Sequence, residues 1–173
     1  TFKPTIFDNR IYMFQNEYWQ RNENSQFIAD FGYTKGYQSQ GSSNRNGMSH
    51  LFSKLNIDFG FENFINSKLD IFLEKVSMDT YLKIFQDVLI TDKTLKDDLK
   101  DTNTLTSGFK LALDHEDYNL TTGMTAYESL QTAKNSDRFQ YVFPYYSFSK
   151  DLISNFKGKL AFSSSGNNRL SNT

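Results

Sequence analysis

The 173-residue chain has no cysteine, which excludes a disulfide framework or a thiolate metal site within this stretch. Proline is scarce at 2 residues, and tryptophan occurs once. No run approaches the ~18 apolar residues that suggest a membrane-spanning helix. A basic excess is also missing: 19 Lys and Arg stand against 20 Asp and Glu, for a net charge of −1. With no basic stripe along the chain, a nucleic-acid partner is not expected. The first residues, "TFKPTIFDNRIYMFQ", lack the charged start and apolar block of a signal peptide. The expectation is a trimmed chain, or one that starts inside a longer protein. Lack of a spanning helix leaves a membrane open, because transmembrane strands give a much weaker signal per segment.

What the chain does have is rings. It carries 17 Phe and 10 Tyr, and aromatics make up 16% of a chain that is only 38% hydrophobic. Apolar content concentrated in rings favours strands over helices. Period-two alternation recurs through most of the sequence. In "TLTSGFKLALDHE", Leu105, Phe109, Leu111 and Leu113 share one face, with Thr106, Gly108, Lys110 and Asp114 opposite. "YNLTTGMTAYE" places Tyr118, Leu120, Thr122, Met124 and Ala126 against Asn119, Thr121, Gly123 and Thr125. "HLFSKLNIDF" sets Leu51, Leu55, Ile57 and Phe59 opposite Lys54, Asn56 and Asp58, and "SNFKGKLAF" sets Phe156, Leu160 and Phe162 opposite Asn155, Lys157 and Lys159.

The alternation predicts one partial β-barrel domain over 1–173, with about nine strands near 1–7, 10–21, 25–35, 48–60, 67–84, 104–115, 118–130, 138–149 and 154–164. Several are longer than the usual ~5–6 residues of globular sheets and match the ~9–11 of a tilted transmembrane strand. Long loops are expected near 36–47, 86–103 and 131–137. They alternate with short joins at 22–24, 60–67, 115–117 and 150–151, apart from a tight "DN" at 8–9. An up-and-down meander with short turns on one side is the pattern of outer-membrane barrels, whereas a Greek-key sandwich has no reason to alternate. The mixed charges of "DKTLKDDLKDTN", 92–103, read as a solvated loop rather than a helical turn.

Chemistry-bearing clusters are few. In "LDHEDYN", Asp114 with Glu116, or His115 with Asp117, could share a face; the stretch reads as a polar hairpin corner at a membrane–water boundary. His50 follows a Gly-, Ser- and Asn-rich loop with no second histidine near it, and is expected at a surface or in a lumen. "GSSNRNG" lacks the Lys-Ser/Thr of a phosphate loop and leads into a strand. Asp70 and Glu74 lie four residues apart, ~13 Å along an extended strand, and are expected to point into a wet interior. No catalytic, metal or cofactor site follows from the residues, and the chain is read as non-enzymatic. The stretch "DRFQYVFPYYSFSK" groups Phe139, Tyr141, Phe143 and Tyr145 on one face, broken by Pro144, which is expected to mark a bulge or a lost ladder bond.

Four stretches in order resemble the LptD family of lipopolysaccharide-assembly proteins from Gram-negative outer membranes. They are "FKPTIFDNRIYMFQNEYWQRNEN"; "SSNRNGMSHLFSKLNIDF"; "VSMDTYLKIF" followed by "DTNTLTSGFKLAL"; and "DRFQYVFPYYSFSK". The resemblance runs from about residue 2 to about 165, with departures at Trp19 and Met78. It implies an internal piece of a large transmembrane barrel that inserts lipopolysaccharide into the outer leaflet. Implied partners are lipopolysaccharide, a lodged outer-membrane lipoprotein plug (LptE-like), membrane lipid, and a periplasmic bridge protein (LptA-like) reached through a jellyroll outside this chain. On that reading the apolar faces meet lipid, with Tyr141 and Tyr145 in an interfacial girdle. Lys54, Asn56, Asp58, Lys110 and Asp114 face the lumen, and the segment does not fold alone. The alternatives are a soluble all-β carbohydrate-binding module, or another outer-membrane barrel such as a porin or uptake receptor.

Overall fold

Alternating rings and polar residues build nine strands in the computed structural model, which describes residues 1–8, 11–37, 46–96, 101–132, 137–152 and 160–171. In chain order these are β1 (Phe2–Asp8), β2 (Ile11–Arg21), β3 (Ser25–Tyr37), β4 (Asn46–Asp58), β5 (Phe64–Val76), β6 (Thr104–His115), β7 (Tyr118–Ser129), β8 (Phe139–Leu152) and β9 (Leu160–Ser171). One short helix, α1 (Tyr81–Phe85), lies between β5 and β6. Each strand pairs antiparallel with the next in a single nine-stranded sheet, β1 to β9 in sequence order. The strands β1 and β9 are its two edges and do not pair, so the sheet is an open meander rather than a closed barrel. From β2 onward the strands run 11–14 residues.

Register divides the side chains between two faces. Leu55 opposes Ile71, Ile71 opposes Phe109, and Phe109 opposes Met124, giving one apolar row across four strands. The adjacent row on the other face is Asn56, Asp70, Lys110, Gly123 and Tyr145. The apolar face remains open, and Phe31, Leu51, Ile71 and Leu73 on it are all more than a third exposed. Its members Leu111, Leu113, Leu120 and Met124 do not enter the buried core.

The core lies on the polar face instead. There the segment 77–96 folds back and covers β2 to β5. Tyr81, Leu82, Phe85 and Leu95 pack on Met13, Ile28, Met48, Phe52 and Val76, all of them buried. This inward-folded segment corrects two expectations. The stretch 92–103 was expected as a solvated loop, yet Leu95 and Lys96 in it are buried. A strand was expected to continue to residue 84, yet β5 ends at Val76 and a helical turn follows at Tyr81–Phe85. Alternation fails there because Tyr81, Leu82 and Phe85 present one side of a helix, at spacings of one and four, to the sheet.

The ends of the sheet differ. Short joins at 22–24, 59–63 and 116–117 lie at one end; 77–103 and 130–138 lie at the other. The expected tight join at 150–151 falls inside β8, which continues to Leu152, and β9 begins at Leu160 rather than near 154. The join between them, with Asn155, Phe156, Lys157 and Lys159, is outside the described residues, as are 38–45 of the expected 36–47 loop, 97–100 of the 86–103 loop, and 133–136 of the 131–137 loop.

Candidate functional site: the polar face and its strap

Four consecutive strands each send a polar side chain into the covered part of the polar face. From β2, Gln15 acts as a surrogate strand partner for the strap 77–96: its Nε2 donates to the Val88 carbonyl at 3.1 Å, and its Oε1 accepts from the Ile90 N–H at 3.0 Å. From β3, Asp30 accepts through Oδ2 from the Thr91 hydroxyl and from His50 Nε2 at 3.1 Å. From β4, His50 places Nδ1 2.8 Å from the Tyr81 hydroxyl. A carboxylate only accepts, so Nε2 donates to Asp30; in the neutral imidazole Nδ1 accepts the Tyr81 O–H. From β5, Glu74 accepts from Lys96 Nζ at 2.9 Å and from the Thr106 N–H at 3.0 Å.

Burial explains why this row is polar yet dry. Gln15, Asp30 and Tyr81 are fully buried and His50 is 1% exposed, so each lost hydrogen bond would leave an unpaired group out of reach of water. Burial also pushes the Tyr81 phenol well above its ordinary value, with the Asp30 charge adding in the same direction. Gly32 makes the packing feasible: a Cβ there would stand 2.4 Å from His50 Cε1, so any side chain would displace the ring. The Asp30–His50–Tyr81 line has the order of a proton relay, but all three side chains are buried, and it positions the strap. Asp30 Oδ1 is buried with no hydrogen-bond partner among the described residues.

A second anchor closes the loop-rich end. Arg138 grips Asp79 with two hydrogen bonds, of 2.9 and 2.6 Å, and donates from Nε to Glu128 at 2.8 Å. Lys75 reaches Glu128 as well, at 3.3 Å. The Arg138 guanidinium is driven still higher than its usual value, first by its hydrogen bonds to Asp79. The strap is therefore tied both to the sheet and to the join between β7 and β8.

The five residues expected to face a lumen all fall on the polar face. Lys54 lines a cleft with Phe72, Glu74, Lys96 and Asp101 beside the strap. Asn56 donates to Asp70 Oδ1 at 2.5 Å. Asp58 accepts from the Gly60 N–H at 3.1 Å and closes the turn after β4. Lys110 is exposed opposite Asp70, and Asp114 accepts from Asn66 at 3.1 Å. They do not converge on one point; they are spread over β4 and β6. The "LDHEDYN" corner is a hairpin turn, in which His115 Nδ1 accepts from the Asp117 N–H at 3.1 Å.

Two expectations are corrected at this face. His50 is sealed under the strap rather than lying at a surface, and Glu74 is paired with Lys96 rather than pointing into water. The residues that sequence reasoning passed over, Gln15, Asp30, Tyr81 and Arg138, lie far apart in sequence. Only Gln15 and Asp30 lie on strands, where a polar residue on the polar side of an alternating strand gives no local signal; Tyr81 lies on the helix and Arg138 precedes β8.

Pro144 sits where the register of β8 shifts against both β7 and β9, as the sequence suggested. The extra residue reverses the alternation beyond it. Tyr141 pairs with Ala126 on the apolar face, but Tyr145 pairs with Gly123 on the polar face, and Tyr146 takes the outward position opposite Thr122. Tyr145 is therefore not a girdle residue; its hydroxyl lies over Gly123, where a Cβ would meet it at 2.5 Å.

Among the described residues no helix is long and apolar enough to cross a membrane. Comparisons with protein-family models, with curated proteins and with solved structures returned no match.

Proposed function

We propose that this chain forms part of the wall of a large β-barrel in the outer membrane of a Gram-negative bacterium, of the LptD type, and that the whole protein helps insert lipopolysaccharide into the outer leaflet. The observation that carries this reading is the reversal of the usual arrangement of a one-sided sheet. On the apolar face Phe31, Leu51, Ile71 and Leu73 lie open, while on the polar face Gln15, Asp30 and His50 are buried under a folded-in strap and Glu74 is partly covered by it. In water that arrangement would leave a wide hydrophobic face uncovered; against acyl chains it is the stable one. Strands of 11–14 residues suit a tilted crossing, and two unpaired edges call for further strands, since lipid offers no hydrogen-bond partners.

The lipopolysaccharide part of the proposal rests on the resembling stretches. Their polar residues meet in the fold: His50 of one contacts Tyr81 of the next, and Asp79 of that stretch pairs with Arg138 of the last. The role is physical rather than covalent. A polar wall passes hydrated sugar and phosphate groups, while the lipid-facing side leaves no backbone group unpaired in hydrocarbon. The lipoprotein plug and the periplasmic bridge protein belong to the same proposal.

The test uses the full-length protein in cells depleted of their own copy. A photo-crosslinking residue at Lys110 or Tyr145 should capture lipopolysaccharide, and one at Leu111 should not. Unchanged surface lipopolysaccharide after depletion, with no adduct at any polar-face position, would overturn the transport role. A protein that stays monodisperse without detergent would overturn the membrane assignment and favour the soluble carbohydrate-binding module.

A further inference from the structure

The strap covers the polar face over β2 to β5, and the same face of β7 to β9 lies beside a register break. The pairing of β8 shifts between Val142 and Tyr145 against both of its neighbours. Just before the break, Val142 stands opposite Thr125 on β7 and Arg169 on β9. One row closer to the loop-rich end, Gln140 stands opposite Tyr127 and Ser171. Tyr127, Gln140, Val142, Arg169 and Ser171 line a cleft of about 550 Å³, against about 360 Å³ for the one beside the strap. Bulges recur next to binding sites because they re-aim the side chains around them.

Arg169 is set apart from other cations of this face by its surroundings. Lys68 stands opposite Asp58, Lys110 stands opposite Asp70, and Lys96 is paired with Glu74. Arg169 is exposed, faces the apolar Val142, and has only an amide, a phenol and a hydroxyl in the adjoining row. Among the described residues, the polar-face positions of β7 to β9 hold no carboxylate before Asp151, which pairs with Ala161 at the far end of β8. A counter-charge for this guanidinium is therefore missing from its own neighbourhood.

The lining defines what would complete the cleft. A guanidinium meets a phosphate or carboxylate through two parallel hydrogen bonds, and its planar fork is suited to those anions. The Tyr127 ring is 40% exposed and offers an apolar plate for the C–H face of a sugar. The Gln140 amide and the Ser171 hydroxyl supply donors and acceptors for ring hydroxyls. An apolar wall with a few convergent polar groups is the usual make-up of a small-ligand site. We propose that this cleft binds a sugar bearing an anionic group, phosphate or carboxylate, with Arg169 on the anion and Tyr127 against the ring. The inference rests on the barrel reading for its place on the lumen wall, and adds to that reading a named contact for the acidic part of a saccharide.

The experiment uses the full-length protein and a photoreactive diazirine derivative of glucosyl phosphate, with adducts mapped by mass spectrometry. Adducts should fall on Tyr127, Gln140 or Ser171 and drop about tenfold in Arg169→Gln, the scale of one charge-assisted contact. Arg169→Lys should recover part of that loss. Tyr127→Ala should weaken competition by glucosyl phosphate and leave competition by inorganic phosphate unchanged. Unlabelled glucosyl phosphate and glucuronate compete in separate arms, and displacement by either supports the site and names its anion. Equal displacement by plain glucose, or adducts as strong in Arg169→Gln as in the wild type, would overturn the anion contact. A wild type without adducts at these positions would overturn the site. If heat-resistant assembly of Arg169→Gln then also falls, the guanidinium belongs to a carboxylate on a strand beyond the β9 edge. A protein that gives the adducts yet stays monodisperse without detergent would overturn the barrel reading and leave the site standing.

Discussion

Arg138 and Asp79, 59 residues apart in sequence, meet through two parallel hydrogen bonds of 2.9 and 2.6 Å. One residue precedes β8 and the other precedes α1, so this pair holds the start of the strap against the neighbouring join. A planar guanidinium is needed for that fork. Replacing Arg138 by Lys keeps the charge but loses the second bond, and Arg138→Gln removes the charge as well. The expected cost to local stability is about 1–3 kcal/mol for Arg138→Gln and less for Arg138→Lys. Hydrogen exchange of amides 77–85 reads the effect, and a double-mutant cycle with Asp79→Asn should show coupling.

Gly32→Ala should act on His50 from the next strand. The new Cβ would lie 2.4 Å from the imidazole, and the ring cannot move without giving up Asp30 or Tyr81. Loss of one buried hydrogen bond costs about 1–3 kcal/mol, and faster exchange at Tyr81 and Leu82 should accompany it. Gly60→Ala, in a turn with φ +60 and open space around it, serves as a control: strained backbone there should leave the strap unaffected.

On the proposed barrel reading, neighbours on the apolar and polar faces should respond oppositely to charge. Leu111→Arg is expected to lower the amount of folded, membrane-assembled protein, since a cation at mid-depth costs about 2–4 kcal/mol. Thr121→Arg, opposite Ala112 on the polar face, should assemble normally. The same contrast applies across the bulge, with Tyr146→Arg impaired and Tyr145→Arg tolerated. Heat-resistant migration in a denaturing gel measures each. Equal behaviour of Leu111→Arg and Thr121→Arg would contradict the two-faced sheet.

Alkaline pH should release the strap. The unfolded chain loses the Tyr81 proton near the ordinary value of 10.0, whereas the buried phenol holds it to higher pH. Above that value the unfolded strap binds fewer protons than the folded one, so stability is fully present below pH 10 and falls as pH rises, by up to about 1.4 kcal/mol per pH unit. Tyr81→Phe should start less stable, having lost the hydrogen bond to His50, but should lose this pH dependence. Tyrosinate absorbance of the wild type minus that of the variant should rise only together with strap release.

Much of the fold was legible because a strand's side chains alternate whatever the rest of the chain does. Leu111 and Lys110 face opposite ways on β6 for a reason contained in two adjacent residues. For that reason seven of the nine strands begin and end within about three residues of where alternation places them, and all five lumen candidates share one face. The misses occur where one residue changes the count. Pro144 announced a bulge, but the shift it marks moved Tyr145 to the polar face and Tyr146 to the other, because a single insertion inverts every later position. The end of β9 was placed too early, at 164 against Ser171, because the polar run from Ser163 to Arg169 carries no apolar alternation.

By itself, then, the sequence determined nine amphipathic ribbons, their neighbours and the chemistry of their sides, since those depend on contacts between residues adjacent along the chain or across a turn. Only the tertiary structure decided which side is buried. That outcome depends on Thr91 reaching Asp30 across 61 residues and on Gln15 pairing with Val88 and Ile90. Such long-range polar contacts leave no periodic trace in the sequence. They form because a backbone segment folded onto a sheet must find partners for its N–H and C=O groups wherever the sheet offers them.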